Sequence, residues 1–193
     1  IEPMMTKSFY TSAAETQKNA YFKYLKTLLS LAGESDIDKK TADFYEFEKT
    51  LSEKSFSPEE GGNVDKIYNT FTLDEISDML PSIDIETVLK DSGIKEEEKI
   101  LISNPGSVKE FSRLFNNENL EVLKTAAKLY LLNSYGGALS TEFTDAADTF
   151  NAEYLGISGS YSDEERAALI MTSAMPDYIG EIYAERYFTE EAK

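Results

Sequence analysis

The sequence contains neither cysteine nor histidine. Without thiols there is no disulfide framework, no thiolate nucleophile and no Cys-ligated zinc, and the chain is indifferent to the redox state of its compartment. Without imidazole there is no Ser-His-Asp triad, no histidine general base and no zinc site of the usual His-containing kinds. Basic residues are scarce as well: 19 Lys and Arg stand against 36 Asp and Glu, a formal charge of −17. A polyanion of that size repels phosphate backbones and anionic lipid headgroups, so nucleic acid and membrane surfaces are poor partners. No apolar run approaches the ~20 residues of a spanning helix. Residues 1–20 lack the basic start and apolar middle of a secretory signal, so the chain is expected to be soluble.

What is present is enough for a core. The 193 residues are 41% hydrophobic and include 12 Tyr and 11 Phe, a composition that folds and leaves room for one domain or a piece of something larger. Periodicity predicts a mainly α fold of about eight helices with at most one or two short strands. Ser12 with Glu15 reads as a capping box opening a helix whose stripe is Tyr21, Tyr24, Leu25, Leu28, Leu29 and Ala32, ended by Gly33. A second helix from Ser35 or Asp36 carries Ala42, Phe44, Tyr45, Phe47, Glu48 and Leu51, and is expected to pair antiparallel with the first. Residues 58–72, with the pair Gly61-Gly62, read as a loop.

Thr72 with Glu75 opens a short helix to Met79, and Asp84 caps another ending at Gly93. Lys99 to Ser103 is the one credible strand, bounded by Asn104-Pro105-Gly106. Ser107 starts a helix to about Phe115. A longer one carries Leu120, Leu123, Ala127, Tyr130, Leu131 and Ser134 to a stop at Gly136-Gly137, with an apolar face wide enough for a central position. Ser140 caps a helix through Phe143, Ala146, Ala147, Phe150 and Tyr154. Ser162 with Glu165 opens the last stretch to Phe188, in which Pro176 forces a kink or break at Met175.

Little in this chain reads as catalytic. Carboxylate pairs are abundant, and suitably spaced acids can hydrolyse a glycosidic bond, but a solvated helix face accounts for them equally well. No stretch fits a calcium loop; the cluster Glu34 to Asp38 reads as a helix start, where the macrodipole favours negative charge. Gly61-Gly62 and Gly136-Gly137 lack the Lys-Ser/Thr of a phosphate loop. The acidic runs Glu96 to Glu98 and Glu190-Glu191 are too short for low complexity. Tyr21, Tyr24, Tyr183 and Tyr187 fall at helical spacing and are expected to be half-buried, ring in the core and hydroxyl reaching a partner or water, with no site role. Neither catalytic nor metal-binding residues are assigned.

A series of short strings, in order, carries a resemblance. They are Pro3-Met4-Met5 through Phe9-Tyr10, Phe47-Glu48 with Leu51 and Ser55, Ser57-Pro58-Glu59-Glu60, and Tyr68-Asn69 with Thr72-Leu73. Pro81 to Asp84, Leu120 to Lys124, Leu131 to Tyr135, Leu139 to Phe143 and Ile182 to Phe188 follow. Together they resemble the N-terminal, non-catalytic helical region of the neprilysin family of zinc metalloendopeptidases. The chain departs from the family at Gly61-Gly62-Asn63, where basic residues are usual, and at Ala167, where tryptophan is common.

The resemblance implies a two-lobed enzyme in which this region caps a catalytic lobe, the two enclosing a chamber that admits small peptides and excludes folded proteins. It implies that zinc is held by His-Glu-x-x-His and a downstream Glu, with the motif's Glu activating the metal-bound water. Since no histidine is present, residues 1–193 are expected to be a single helical domain, a fragment whose zinc lobe lies elsewhere in the parent. Such a fragment takes no cofactor itself, is inert alone, and has the catalytic lobe and peptide substrates as partners. The lack of cysteine points to a bacterial parent, cytoplasmic or exported. A stand-alone acidic helical interaction module is the rival expectation. A carboxylate-based hydrolase is a third, requiring two buried acids facing one cleft at roughly 5 to 10 Å.

Overall fold

The computed structural model describes residues 2–93, 99–156 and 162–189, which fall into two compact units divided after Leu155. The acidic runs Glu96 to Glu98 and Glu190-Glu191 lie outside the described residues.

The first unit begins with a short helix that periodicity missed, α1 (Lys7–Ser12), which buries Phe9 and Tyr10. It displaces the expected capping box: the Ser12 hydroxyl donates to the Ser8 carbonyl within α1. The next helix, α2 (Glu15–Leu31), starts after an extended Ala14, whose N–H is taken by the Gln17 side chain at 3.1 Å. Five of the six residues of the expected stripe, Tyr21, Tyr24, Leu25, Leu28 and Leu29, are buried, while Ala32 caps the helix end and is exposed. Gly33, in the left-handed region at φ +72°, ends the helix as predicted. α3 (Ile37–Ser52) packs against α2 and buries Thr41, Phe44, Phe47, Glu48, Leu51 and Ser52.

Residues 58–72 are not a plain loop. Ser57 caps a one-turn helix, α4 (Pro58–Gly61), and Asn63 caps another, α5 (Val64–Ile67), both too short for any period to register. β1 (Thr70–Phe71) follows, then α6 (Leu73–Met79) behind the predicted Thr72–Glu75 box and α7 (Ile85–Asp91) behind Asp84. β2 (Ile100–Leu101), shorter than the expected strand, finds its partner in β1, antiparallel with Thr70 opposite Leu101.

α8 (Pro105–Leu114) starts two residues before Ser107, because Asn104 accepts the Ser107 N–H and Pro105 fits the first helical position. α9 (Leu120–Tyr135) runs into a 3-10 turn at Gly136–Ala138, where Gly136 keeps right-handed angles and does not stop the helix in the left-handed way. α10 (Thr141–Leu155) then lies along α2, with Phe150 stacked on Tyr24 at 4.9 Å between ring centroids. The core is the aromatic and leucine-rich cluster of α1, α2, α3, α9 and α10, joined by Leu114 of α8.

The second unit is a pair of helices, α11 (Asp163–Ala174) and α12 (Pro176–Tyr187), broken at Met175 as the proline requires. Twelve α-helices among the described residues thus stand where about eight were expected: α1, α4 and α5 are additional, and the last stretch is two helices. The class is mainly α, with two short strands in one small sheet.

Candidate functional site

The carboxylates singled out in sequence are engaged as helix-start and surface groups. Glu34 accepts from Lys40 and from Lys128 of α9, Asp38 pairs with Lys26 at 2.6 Å, and Asp36 precedes α3 in a left-handed conformation. The Lys128 hydrogen bond, then that of Lys40, lowers the Glu34 pKa to about 2. Glu142, Asp145 and Glu153 line an open groove of about 370 Å³ between α2 and α10, but all three are exposed and Glu153 is paired with Lys23. Among the described residues no group of three or more metal-ligating side chains is gathered. The glycine pairs serve as chain geometry: Gly61 and Gly62 close α4, and Gly136 and Gly137 form the 3-10 turn after α9.

One polar centre is built into the core. Glu48, fully buried on α3, receives four donors from four parts of the chain. Its Oε2 accepts the hydroxyls of Tyr10 of α1 at 2.6 Å and Tyr21 of α2 at 2.5 Å. Its Oε1 accepts the Met4 N–H at 2.7 Å and the Tyr130 hydroxyl of α9 at 3.1 Å. Burial raises the Glu48 pKa above its ordinary value against the opposing pull of these donors. Burial likewise pushes the three phenols up, with the charge of Glu48 adding to the effect, so they stay neutral.

Tyr21 is therefore wholly buried where half-burial was expected, and the partner its hydroxyl reaches is Glu48. Tyr24 is buried too, its hydroxyl on Asn133 at 3.0 Å, whereas Tyr183 and Tyr187 are exposed. The signal for Glu48 was its phase: it shares the buried face of α3 with Thr41, Phe44 and Leu51. Glu48 is the one buried acid among the described residues, so two buried acids facing one cleft, the condition for a carboxylate hydrolase, are not found there.

The other notable feature is apolar surface. α9 packs on α2 and α3 with Leu129 at 0% exposure, yet Leu131 is 59% and Tyr135 63% exposed, and Ala127 continues the same line at four-residue spacing. The wide face predicted for α9 is thus only half covered. In the second unit none of the residues 167–189 is buried, and Ile170, Met171, Tyr178, Ile182, Tyr183 and Tyr187 are all exposed.

Comparison with known proteins gives this architecture a context. A model of the N-terminal part of peptidase family M13 matches residues 3–193. A neutral endopeptidase of Lactobacillus helveticus is 28% identical over 193 residues, covering 97% of this chain and 29% of its own length. Two structures of the Mycobacterium tuberculosis zinc metalloprotease Zmp1 share the fold at 17% identity. The open-state cryo-EM structure has a TM-score of 0.78 over 99% of this chain and 31% of that one. The inhibitor complex has a TM-score of 0.78 over 97% and 30%. The chain therefore spans less than a third of the length of each of these relatives.

Proposed function

Since the chain belongs to peptidase family M13, as the N-terminal region of such a peptidase, we propose that it is a non-catalytic wall of a zinc endopeptidase, acting by steric gating. In this reading zinc and its activated water belong to another part of the polypeptide, and residues 1–193 help enclose the space that peptides enter. The observation that carries the reading is a buried acid fully engaged inside together with apolar surface left open outside. The one buried acid among the described residues spends its oxygens on internal donors, while α9, α11 and α12 present apolar side chains to solvent. Apolar surface of this kind marks a place where another body packs.

The purified chain supplied with zinc is expected to cleave no peptide, and chelator-sensitive hydrolysis by it would refute inertness. For gating, the whole peptidase is tested with one cleavable sequence, presented as a short peptide and as a loop within a tightly folded carrier. The free peptide is expected to be cut and the carrier spared. Equal rates on both would remove the steric role while leaving the family assignment intact.

A further inference from the structure

One side of α9 is left uncovered by the other described residues of its unit. Leu120, Ala127, Leu131 and Tyr135 recur at intervals of seven, four and four residues, which places them in one line along the helix, and all four are exposed. Ala126 and Leu129, on the opposite side, are buried in the core. At its start the exposed line runs into a groove of about 380 Å³, lined by Leu120, Leu123 and Phe115 together with Ser82, Asn116 and Asn117. Acid is missing from this strip, in a chain where 36 of 193 residues are Asp or Glu. The only acid of α9, Glu121, is paired with Lys124 at 2.8 Å, and Lys128 is held by Glu34. The strip is thus apolar and free of net charge on a strongly anionic molecule.

We propose that this strip of α9, with the groove at its start, seats an amphipathic helix from the part of the peptidase polypeptide outside residues 1–193. The proposal rests on the reading of the chain as one region of a longer peptidase and names a place where another region packs on it. A helix is the fitting occupant because an apolar line of helical period takes the side-chain ridge of a second helix, at about 8–10 Å between axes.

Size and charge decide against a second copy. A helix of 16 residues is about 24 Å long and about 10 Å wide, so one face offers on the order of 250 Å². That is well short of the ~800 Å² per partner of a stable interface between free molecules. Two copies would also bring together formal charges of −17 each. A segment of the same polypeptide is held nearby by its tether, at an effective concentration in the millimolar range, where a small apolar contact suffices. The supply of such segments is large, since the chain covers only 29 to 31% of the length of its relatives.

The test is hydroxyl-radical footprinting, read by mass spectrometry, of the 193-residue chain and of the whole peptidase without peptide, each rate normalised to that of the urea-unfolded form. In the 193-residue chain Leu131 and Tyr135 are expected to label as readily as the exposed Tyr68. In the whole peptidase, at a concentration where light scattering finds it monomeric, both are expected to be protected. Labelling there at the rate of the 193-residue chain overturns the proposal and leaves steric gating standing, because a chamber wall can be bare at this face. Protection already present in the 193-residue chain overturns it too, whether a second copy or the chain itself provides the cover, as does protection confined to an associated form of the peptidase. Protection in a peptidase that shows no size discrimination removes gating and keeps the docked helix. Leu131→Gln is expected to leave the urea midpoint of the 193-residue chain unchanged and to speed Tyr135 labelling in the whole peptidase. A clear fall in the midpoint of the 193-residue chain would assign Leu131 to the fold of its own unit and overturn the proposal.

Discussion

Thr27, Thr50 and Thr125 each turn their hydroxyl back to the carbonyl four residues earlier, the usual way a helix absorbs a buried or half-buried threonine. Thr41, at 0% exposure on α3, does not: its Oγ1 has no hydrogen-bond partner among the described residues. A hydroxyl taken out of water without a partner costs about 1–3 kcal/mol, and valine has nearly the same shape. Thr41→Val is therefore expected to raise the unfolding free energy by ~1 kcal/mol, read as a higher urea midpoint at unchanged slope. A lower midpoint would show that the hydroxyl is satisfied in solution. Thr41 went unread in sequence, and Glu48 was read only as a member of the α3 stripe. Their helical phase says that they are buried, but the phenols that complete Glu48 lie 27 to 82 residues away, and periodicity carries no information on which stripes meet. The tyrosines were legible as rings in the core with hydroxyls seeking a partner, but for the same reason the partner itself was not.

Helices long enough to repeat their stripe were readable, and those that were not long enough were missed. α2 and α3 supply two turns or more of aromatic and leucine spacing, and their buried residues follow that spacing. α4 and α5 hold four residues each, and α1 six, so no period develops. Capping chemistry filled part of the gap: Thr72, Asp84 and Ser162 all accept the N–H three residues on. The turn between α2 and α3 shows what pairing adds to such local signals. Glu34, just past Gly33, binds Lys40 of α3 and Lys128 of α9, so one side chain ties the turn to a helix 94 residues away. Its pKa of about 2 lies below the ordinary 4.5, so its contribution is present above pH 4.5 and is lost as pH falls toward 2. Glu34→Gln is expected to lower the urea midpoint at pH 6, with the gap to the native chain closing progressively between pH 4.5 and 2. A gap that persists unchanged at the acid end would assign the loss to packing and not to charge.

Taken together, the chain's identity was readable from scattered strings in the right order, whereas its uncovered surfaces were not, because exposure depends on which elements are absent from around a helix. The second unit illustrates this: α11 and α12 have apolar residues at helical spacing, yet none of the residues 167–187 is buried. Isolated helices of 12 residues are marginal in water, so these two gain most from packing against another surface. Net charge acts on the chain as a collective property. Nine ion pairs are formed among the described residues, most with exposed partners, and each is worth little. Against them stands the mutual repulsion within a chain of formal charge −17. Salt weakens both, but attraction within a pair acts over one contact, while repulsion sums over every acidic neighbour within a Debye length of about 10 Å at 0.1 M. Repulsion therefore has more to lose. Raising sodium chloride from about 20 to about 300 mM is expected to move the urea midpoint upward. An equal osmolarity of a neutral solute serves as the control for effects unrelated to charge. A midpoint that falls with salt would mean that the ion pairs, Glu34 with its two lysines foremost, outweigh the field of the acidic surface.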